Sequence, residues 1–263
     1  MADVYTHGHH ETVLRSHVWR TAENSAGYLL PHLHAGLDLL DLGCGPGTIT
    51  LDLAARVAPG RVLGIDASAD VIEQARALGD ERVEFAVGDA YALDVPDASF
   101  DVVHAHQILQ HLTDPVAAVA EAARVLRPDG ILAVRDGDYA GFFWAPTNAA
   151  LDRWLELYHQ LTARNRAEAD AGRHLPAWVR AGGFDDLAVT SSTWTFADAA
   201  GRAFWGGMWA DRVRQSAFAT QAIECGLSDA AELAAIETAW RDWIDEPDGV
   251  FVVPSVEVIA RRQ

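Results

Sequence analysis

From Leu37 onward the chain alternates between short apolar runs and stretches of helical period. Leu37-Asp-Leu-Leu-Asp-Leu42 has strand length and stops at Gly43-Cys-Gly-Pro-Gly47; Ile49, Leu51, Leu53, Ala54 and Val57 then recur at helical spacing until Pro59-Gly60. Arg61 to Asp66 returns to strand character, Ala69 to Leu78 reads as a helix with Ser68 as its N-cap, and Val83 to Val87 reads as a short alternating strand. Beyond the turn-rich segment Leu93 to Ser99, a fourth strand covers Phe100 to Ala105 and a helix onset follows from His106 to Leu112. A helix over Ala117 to Leu126 and a strand over Ile131 to Val134 complete the series. Strands separated by helices in this way predict a parallel, doubly wound sheet.

The second half has a different pattern. Eight of the nine tryptophans lie after Tyr139. Asn148 to Ala171 reads as one long helix, His174 to Ala181 as a short one, Leu187 to Phe196 as an alternating strand, and Asp198 to Cys225 and Ser228 to Ile244 as two more helices. Val250 to Arg261 is the last strand, and Pro254 inside it suggests an edge or a bulge. These helices are expected around the mouth of a crevice, as a largely apolar lid. At the other end of the chain, Glu11 to Leu33 suits two short amphipathic helices, preceded by a tail with His7, His9 and His10 for which no metal role is expected.

Composition narrows the chemistry. The 263 residues carry a formal charge of -18, and all twenty basic residues are arginine. Such acidity opposes a nucleic-acid backbone or an anionic membrane surface. The absence of lysine excludes Schiff-base and P-loop lysine chemistry. Two cysteines offer neither a disulfide framework nor a cysteine-rich metal site. No apolar run is long enough to span a bilayer and none resembles a signal peptide, so a soluble, cytoplasmic protein with no membrane insertion is expected.

Ligands of doubly wound sheets sit outside the carboxyl ends of the strands. The residues emptying there are Gly43 to Gly47, Asp66, Asp89, Ala90, His106 and the stretch Asp136 to Tyr139. Asp66 follows the glycine turn by about twenty residues, where an acid can accept from both hydroxyls of a ribose. Asp41 beside Gly43 would repel a pyrophosphate, and Thr48 stands where a dinucleotide fingerprint has its third glycine or alanine, so a nicotinamide oxidoreductase is disfavoured. The candidate catalytic residues at the crevice are His106, Asp136 and Asp138, with His104 and His111 read as structural. Trp144, Trp205 and Trp209 are candidates to line an aromatic pocket, and Arg173 and His174 to meet an anionic group.

Four motifs in order, Leu40-Asp-Leu-Gly-Cys-Gly-Pro-Gly47, Val62-Leu-Gly-Ile-Asp66, Gly88-Asp-Ala90 through Leu93-Asp-Val-Pro-Asp-Ala-Ser-Phe-Asp101, and Val125-Leu-Arg-Pro-Asp-Gly130, resemble those of class I S-adenosylmethionine-dependent methyltransferases. The likeness is greatest to the group that contains the ubiquinone and menaquinone biosynthesis C-methyltransferases. Gln110-His-Leu-Thr-Asp-Pro115 resembles a further segment of that group, with Gln110 in place of its glutamate. The resemblance implies a Rossmann-like α/β fold: a seven-stranded, mostly parallel sheet with helices on both faces, an antiparallel last strand and a helical lid. It implies one methyltransferase domain over 1–263, with an N-terminal cap (1–34), a cofactor-binding core (35–138), substrate-side helices with the sixth strand (139–246) and a last strand (247–263).

By the same resemblance Asp41, Gly43 and Gly45 serve the methionine part of S-adenosyl-L-methionine, and Asp66 with Ala67 beside it the ribose. Asp89 and Ala90 meet the adenine, and His106 gives backbone contact beside the sulfonium. The product is S-adenosyl-L-homocysteine. The implied activity is methyl transfer to O, N or C of a small-molecule acceptor, in quinone or secondary-metabolite biosynthesis. The competing reading is a catalytically silent, methyltransferase-like binding or scaffold protein. The oligomeric state stays open, a homodimer among the options.

Overall fold

The computed structural model describes residues 19–78 and 81–263. The histidine tail and the first of the two expected N-terminal helices lie outside these residues. The second is reduced to α1 (Ala22–Ser25), capped by Thr21, and a 3-10 turn at Leu30–His32.

The core alternates as the sequence predicts: β1 (Leu39–Leu42), α2 (Thr48–Val57), β2 (Val62–Asp66), α3 (Ala69–Ala77), β3 (Val83–Val87), β4 (Phe100–His106), α4 (Pro115–Val125) and β5 (Leu126–Gly137). Side chains of successive strand residues point to opposite faces. Accordingly, Leu39, Val62 and Val102 pack with α2 and α3 on one face, while Leu40, Leu63 and Val103 pack with α4 on the other. Helix starts follow their side-chain caps: Ser68 accepts from Val71, and Asp114, with Pro115 behind it, accepts from Ala117.

The remaining elements are β6 (Phe143–Ala145), α5 (Ala149–Arg164), α6 (Ala171–Ala181), β7 (Asp186–Phe196), α7 (Ala199–Gln215), α8 (Ala217–Glu224), α9 (Ala230–Asp245) and β8 (Val250–Arg261). The sheet order is β3-β2-β1-β4-β5-β8, with β7 along the far side of β8. β1 to β5 are parallel and β8 is antiparallel to its neighbours. β6 is a three-residue addition to the expected strands, continuing the line of β5 beside β8. The order reverses between β1 and β4, and that reversal opens the crevice.

Several expectations are corrected. The long helix from Asn148 stops at Arg164, because Arg166 takes a φ of 58° and the Ala167 amide turns back onto Thr162. The stretch 198–225 is two helices, broken where Ser216 goes extended and uses its hydroxyl to cap α8. Pro254 lies in an interior strand. Its missing N–H falls where β8 changes partner between β5 and β6, and its carbonyl accepts from Asp138 at 3.1 Å. β5 runs on through Asp136 and Gly137 because β8 pairs with both.

The lid helices build a core of their own. Trp154 is fully buried, with its ring centroid 4.4 Å from Trp209 and 5.0 Å from Trp240. Truncating one such residue costs about 3–5 kcal/mol, so the lid is held by aromatic packing and its inner wall is fixed. Among the described residues no helix is long and apolar enough to cross a membrane.

Candidate active site

The glycine turn is built by the end of β1. The amides of Gly43 and Cys44 both reach the Ile65 carbonyl, at 2.7 and 3.0 Å, and Gly43, Gly45 and Gly47 have φ of 71°, 55° and 87°. At Gly47 a Cβ would stand 2.7 Å from the Phe85 ring, so the backbone conformation and the packing both require glycine. Gly47 offers α2 no side-chain cap, and the first turn of α2 opens on the crevice through Thr48 and Ile49.

Acids stand at the tips of three neighbouring strands. Asp66, ending β2, accepts from the amides of Gly45 (3.1 Å) and Ser68 (3.0 Å), which ties the turn to the second strand. Asp89, just past β3, accepts from the Tyr91 amide at 2.9 Å. Asp41 is nearly buried in β1, with one oxygen 2.7 Å from His104 Nδ1 and the other accepting from the Thr50 hydroxyl. Cys44 is no nucleophile, because burial and the charges of Asp41 and Asp66 push its thiol far above the usual range.

β4 ends in His106, 6% exposed, whose ring lies parallel to that of His104 at 6.4 Å and 5.8 Å from Trp194. Gln107 follows with a φ of 53°, and its Oε1 accepts from Arg20 Nη2 at 2.7 Å. Gln110 and His111 come next, on a 3-10 turn. Burial first, then the charges of Arg20 and Arg212, lower the His111 imidazole to about 3, so it is neutral at physiological pH.

These groups share one cavity of about 410 Å³, within the range of about 300–1,000 Å³ usual for small-molecule sites. Asp41, Gly43, Gly45, Asp66, Ala67, Asp89, Ala90 and His106 all line it. Its far wall is the lid: Trp194 of β7, and Phe204, Trp205, Met208, Trp209 and Arg212 of α7.

Other candidates stand elsewhere. Asp136 is fully buried in β5; its carboxyl sits against the Leu109 and Gln110 amides without a hydrogen bond of ordinary geometry from any described residue, and burial raises it to about 8. Asp138 is engaged by Arg173, whose Nε donates to it at 2.7 Å. Neither carboxylate lines the cavity: extension of β5 puts the first inside the sheet, and α6 claims the second. The Arg173 contact accounts for that residue, while His174 stacks on Trp178 at 5.6 Å and Trp144 on Phe251 at 5.5 Å, all away from the cavity.

Sequence reasoning missed Arg20, Gln107, Gln110, Arg212 and Trp194 as cavity residues, and assigned His111 a purely structural place. One signal was present: Trp205, Met208, Trp209 and Arg212 follow helical spacing, so the arginine interrupts an apolar stripe.

The YcgJ protein of Bacillus subtilis superposes with a TM-score of 0.61 at 21% identity, over 92% of this chain and 99% of its own, which shows the shared fold. Residues 40–134 match the family described as "Methyltransferase domain". The Schizosaccharomyces pombe protein called "Uncharacterized methyltransferase C1B3.06c" is 28% identical over 98% of this chain and 96% of its own. The Aspergillus luteorubrus protein called "Probable methyltransferase ltbC" is 34% identical over 69% of this chain and 68% of its own. The chain belongs to the class I S-adenosylmethionine-dependent methyltransferases.

Proposed function

We propose that the cavity holds S-adenosylmethionine across the tips of β1 to β4 and a small-molecule acceptor against the lid. One observation carries this reading: three carboxylates, each at the end of a different neighbouring strand, form one wall of a cavity whose opposite wall is aromatic. The cofactor bears a sulfonium and an ammonium, and a wall of acids suits two cations as it would not suit a pyrophosphate.

The residues fit the cofactor part by part. Each Asp66 oxygen accepts one amide, from Gly45 or Ser68, and keeps a lone pair for a ribose hydroxyl, with Ala67 beside it. Asp89 and Ala90 meet the adenine. Gly43 and Gly45 let the amino-acid tail approach the main chain, Asp41 fixes the turn beneath its ammonium, and the open first turn of α2 receives its carboxylate. The His106 backbone borders the sulfonium.

When bound, the cofactor supplies an electrophilic methyl group on sulfur. The chain's part is to align the acceptor for in-line displacement and to exclude water, which the aromatic wall does. His106, buried at the junction of the two halves, is the side chain placed to take a proton from an acidic acceptor. Asp136 and Asp138 have no part in this reading, since neither reaches the cavity. The flat aromatic walls suit a quinone-like or secondary-metabolite acceptor.

The test is incubation with methyl-labelled S-adenosylmethionine and a panel of phenols, quinones, amines and carboxylic acids, read by mass spectrometry. Transfer of one labelled methyl to a panel member supports the reading. Binding of S-adenosylhomocysteine without any product across the panel supports a silent binder instead.

A further inference from the structure

Gln107 lines the cavity directly after His106, at the tip of β4. Its φ of 53° is left-handed, a conformation that a residue with a side chain adopts only at a cost. Two contacts hold it there: its amide donates to the Arg135 carbonyl at 2.7 Å, and its carbonyl accepts from Gln110 Nε2 at 3.5 Å. Glycine or asparagine would take this backbone more readily. The backbone alone does not call for glutamine, so the side chain has to.

The orientation of that side chain follows from its neighbour. Arg20 Nη2 donates to Gln107 Oε1 at 2.7 Å, and a guanidinium has donors only, so the oxygen of the carboxamide is necessarily the atom that faces Arg20. The nitrogen points the other way, and no described residue accepts a hydrogen bond from it. It lies toward Tyr139: a Cβ at Gly137 would stand 3.8 Å from Gln107 Nε2 and 4.0 Å from the Tyr139 ring. Tyr139 stacks on Phe142 with ring centroids 4.3 Å apart, and both rings line the cavity. Gln107 is half-buried and its nitrogen is not sealed in the core. An oriented amide donor is thus offered beside an aromatic wall.

We infer that Gln107 determines acceptor specificity by donating from Nε2 to a carbonyl oxygen, and that the acceptor is a flat, conjugated carbonyl compound of the aromatic ketone or quinone type. The inference deepens the methyltransferase reading of this cavity and rests on it. In that reading the His106 backbone borders the sulfonium, so a carbonyl held by the next residue brings the atom beside it to the methyl donor. The contact is selective, because a ligand without that oxygen would desolvate the Gln107 amide and leave its donors unmet.

The test uses the full chain saturated with S-adenosylhomocysteine and titrates 1-tetralone, 4-chromanone and flavanone, each against the analogue with CH2 in place of the carbonyl: tetralin, chroman and flavan. At least one ketone is expected to bind about tenfold or more tightly than its analogue. Gln107→Glu keeps an oxygen for Arg20 and replaces the donor by a second oxygen, so it should erase the preference. A residue that served only to tether Arg20 would leave the preference intact in this variant. If no ketone binds, or none outbinds its analogue, the inference is overturned with no variant needed; full preference in Gln107→Glu overturns it as well. Failure of S-adenosylhomocysteine itself to bind the wild type would instead overturn the reading of the strand-tip side.

Discussion

His104 Nδ1 lies 2.7 Å from Asp41 Oδ1 in the middle of the sheet, with both side chains buried. The Thr50 hydroxyl on the first turn of α2 donates to the other Asp41 oxygen at 2.5 Å. One carboxylate therefore links β1, β4 and the helix that follows the glycine turn. Asp41→Asn replaces an acceptor in this network by a donor, and the loss expected is about 1–3 kcal/mol of stability. The urea midpoint should fall; an unchanged midpoint would mean that the network is not holding the turn.

Gly47→Ala tests the turn from another side. Its φ is 87° and its Cβ would meet Phe85 at 2.7 Å, so strain of about 1–3 kcal/mol adds to the cost of displacing a core ring. A lower melting temperature and weaker S-adenosylhomocysteine binding are expected together. Loss of neither would show that the turn tolerates a side chain.

The strand-tip half of the site was legible because its logic is local. Leu39 and Leu40 alternate between faces, three glycines force the turn, and Asp66 and Asp89 end apolar runs, all within the span of one element each. The lid half was not, because tertiary contacts assemble it. Arg20 meets Gln107 across 87 positions, and nothing in the local pattern of either residue announces the other. Asp136 and Asp138 looked like a loop pair because their placement depends on β8, more than a hundred residues on, which draws Asp136 into the sheet. Pro254 argued for an edge strand, yet its lost donor falls where β8 changes partner. The break at Ser216 was hidden by the unbroken helix-forming sequence around it.

Burial gives Asp136 a signature in pH. Its folded value is raised from 3.8 to about 8, so between about pH 4 and pH 8 the folded chain holds a proton that the unfolded chain has released. The stability contributed by this group is present at acid pH and declines as pH rises through that window. Asp136→Asn keeps the shape and removes the titration. Urea midpoints measured from about pH 5 to pH 8 should show the variant gaining on the wild type as pH rises. A constant difference would mean that the carboxyl is ionised in the folded state.

Calorimetric titration of S-adenosylhomocysteine into the wild type and Asp66→Ala reaches the account at its centre. The wild type should show saturable one-site binding, and the variant should bind about tenfold or more weakly, as for hydrogen bonds to a charged acceptor left unmade. Equal affinity in the two proteins, or no heat with either, would contradict the placement of the cofactor across the strand tips.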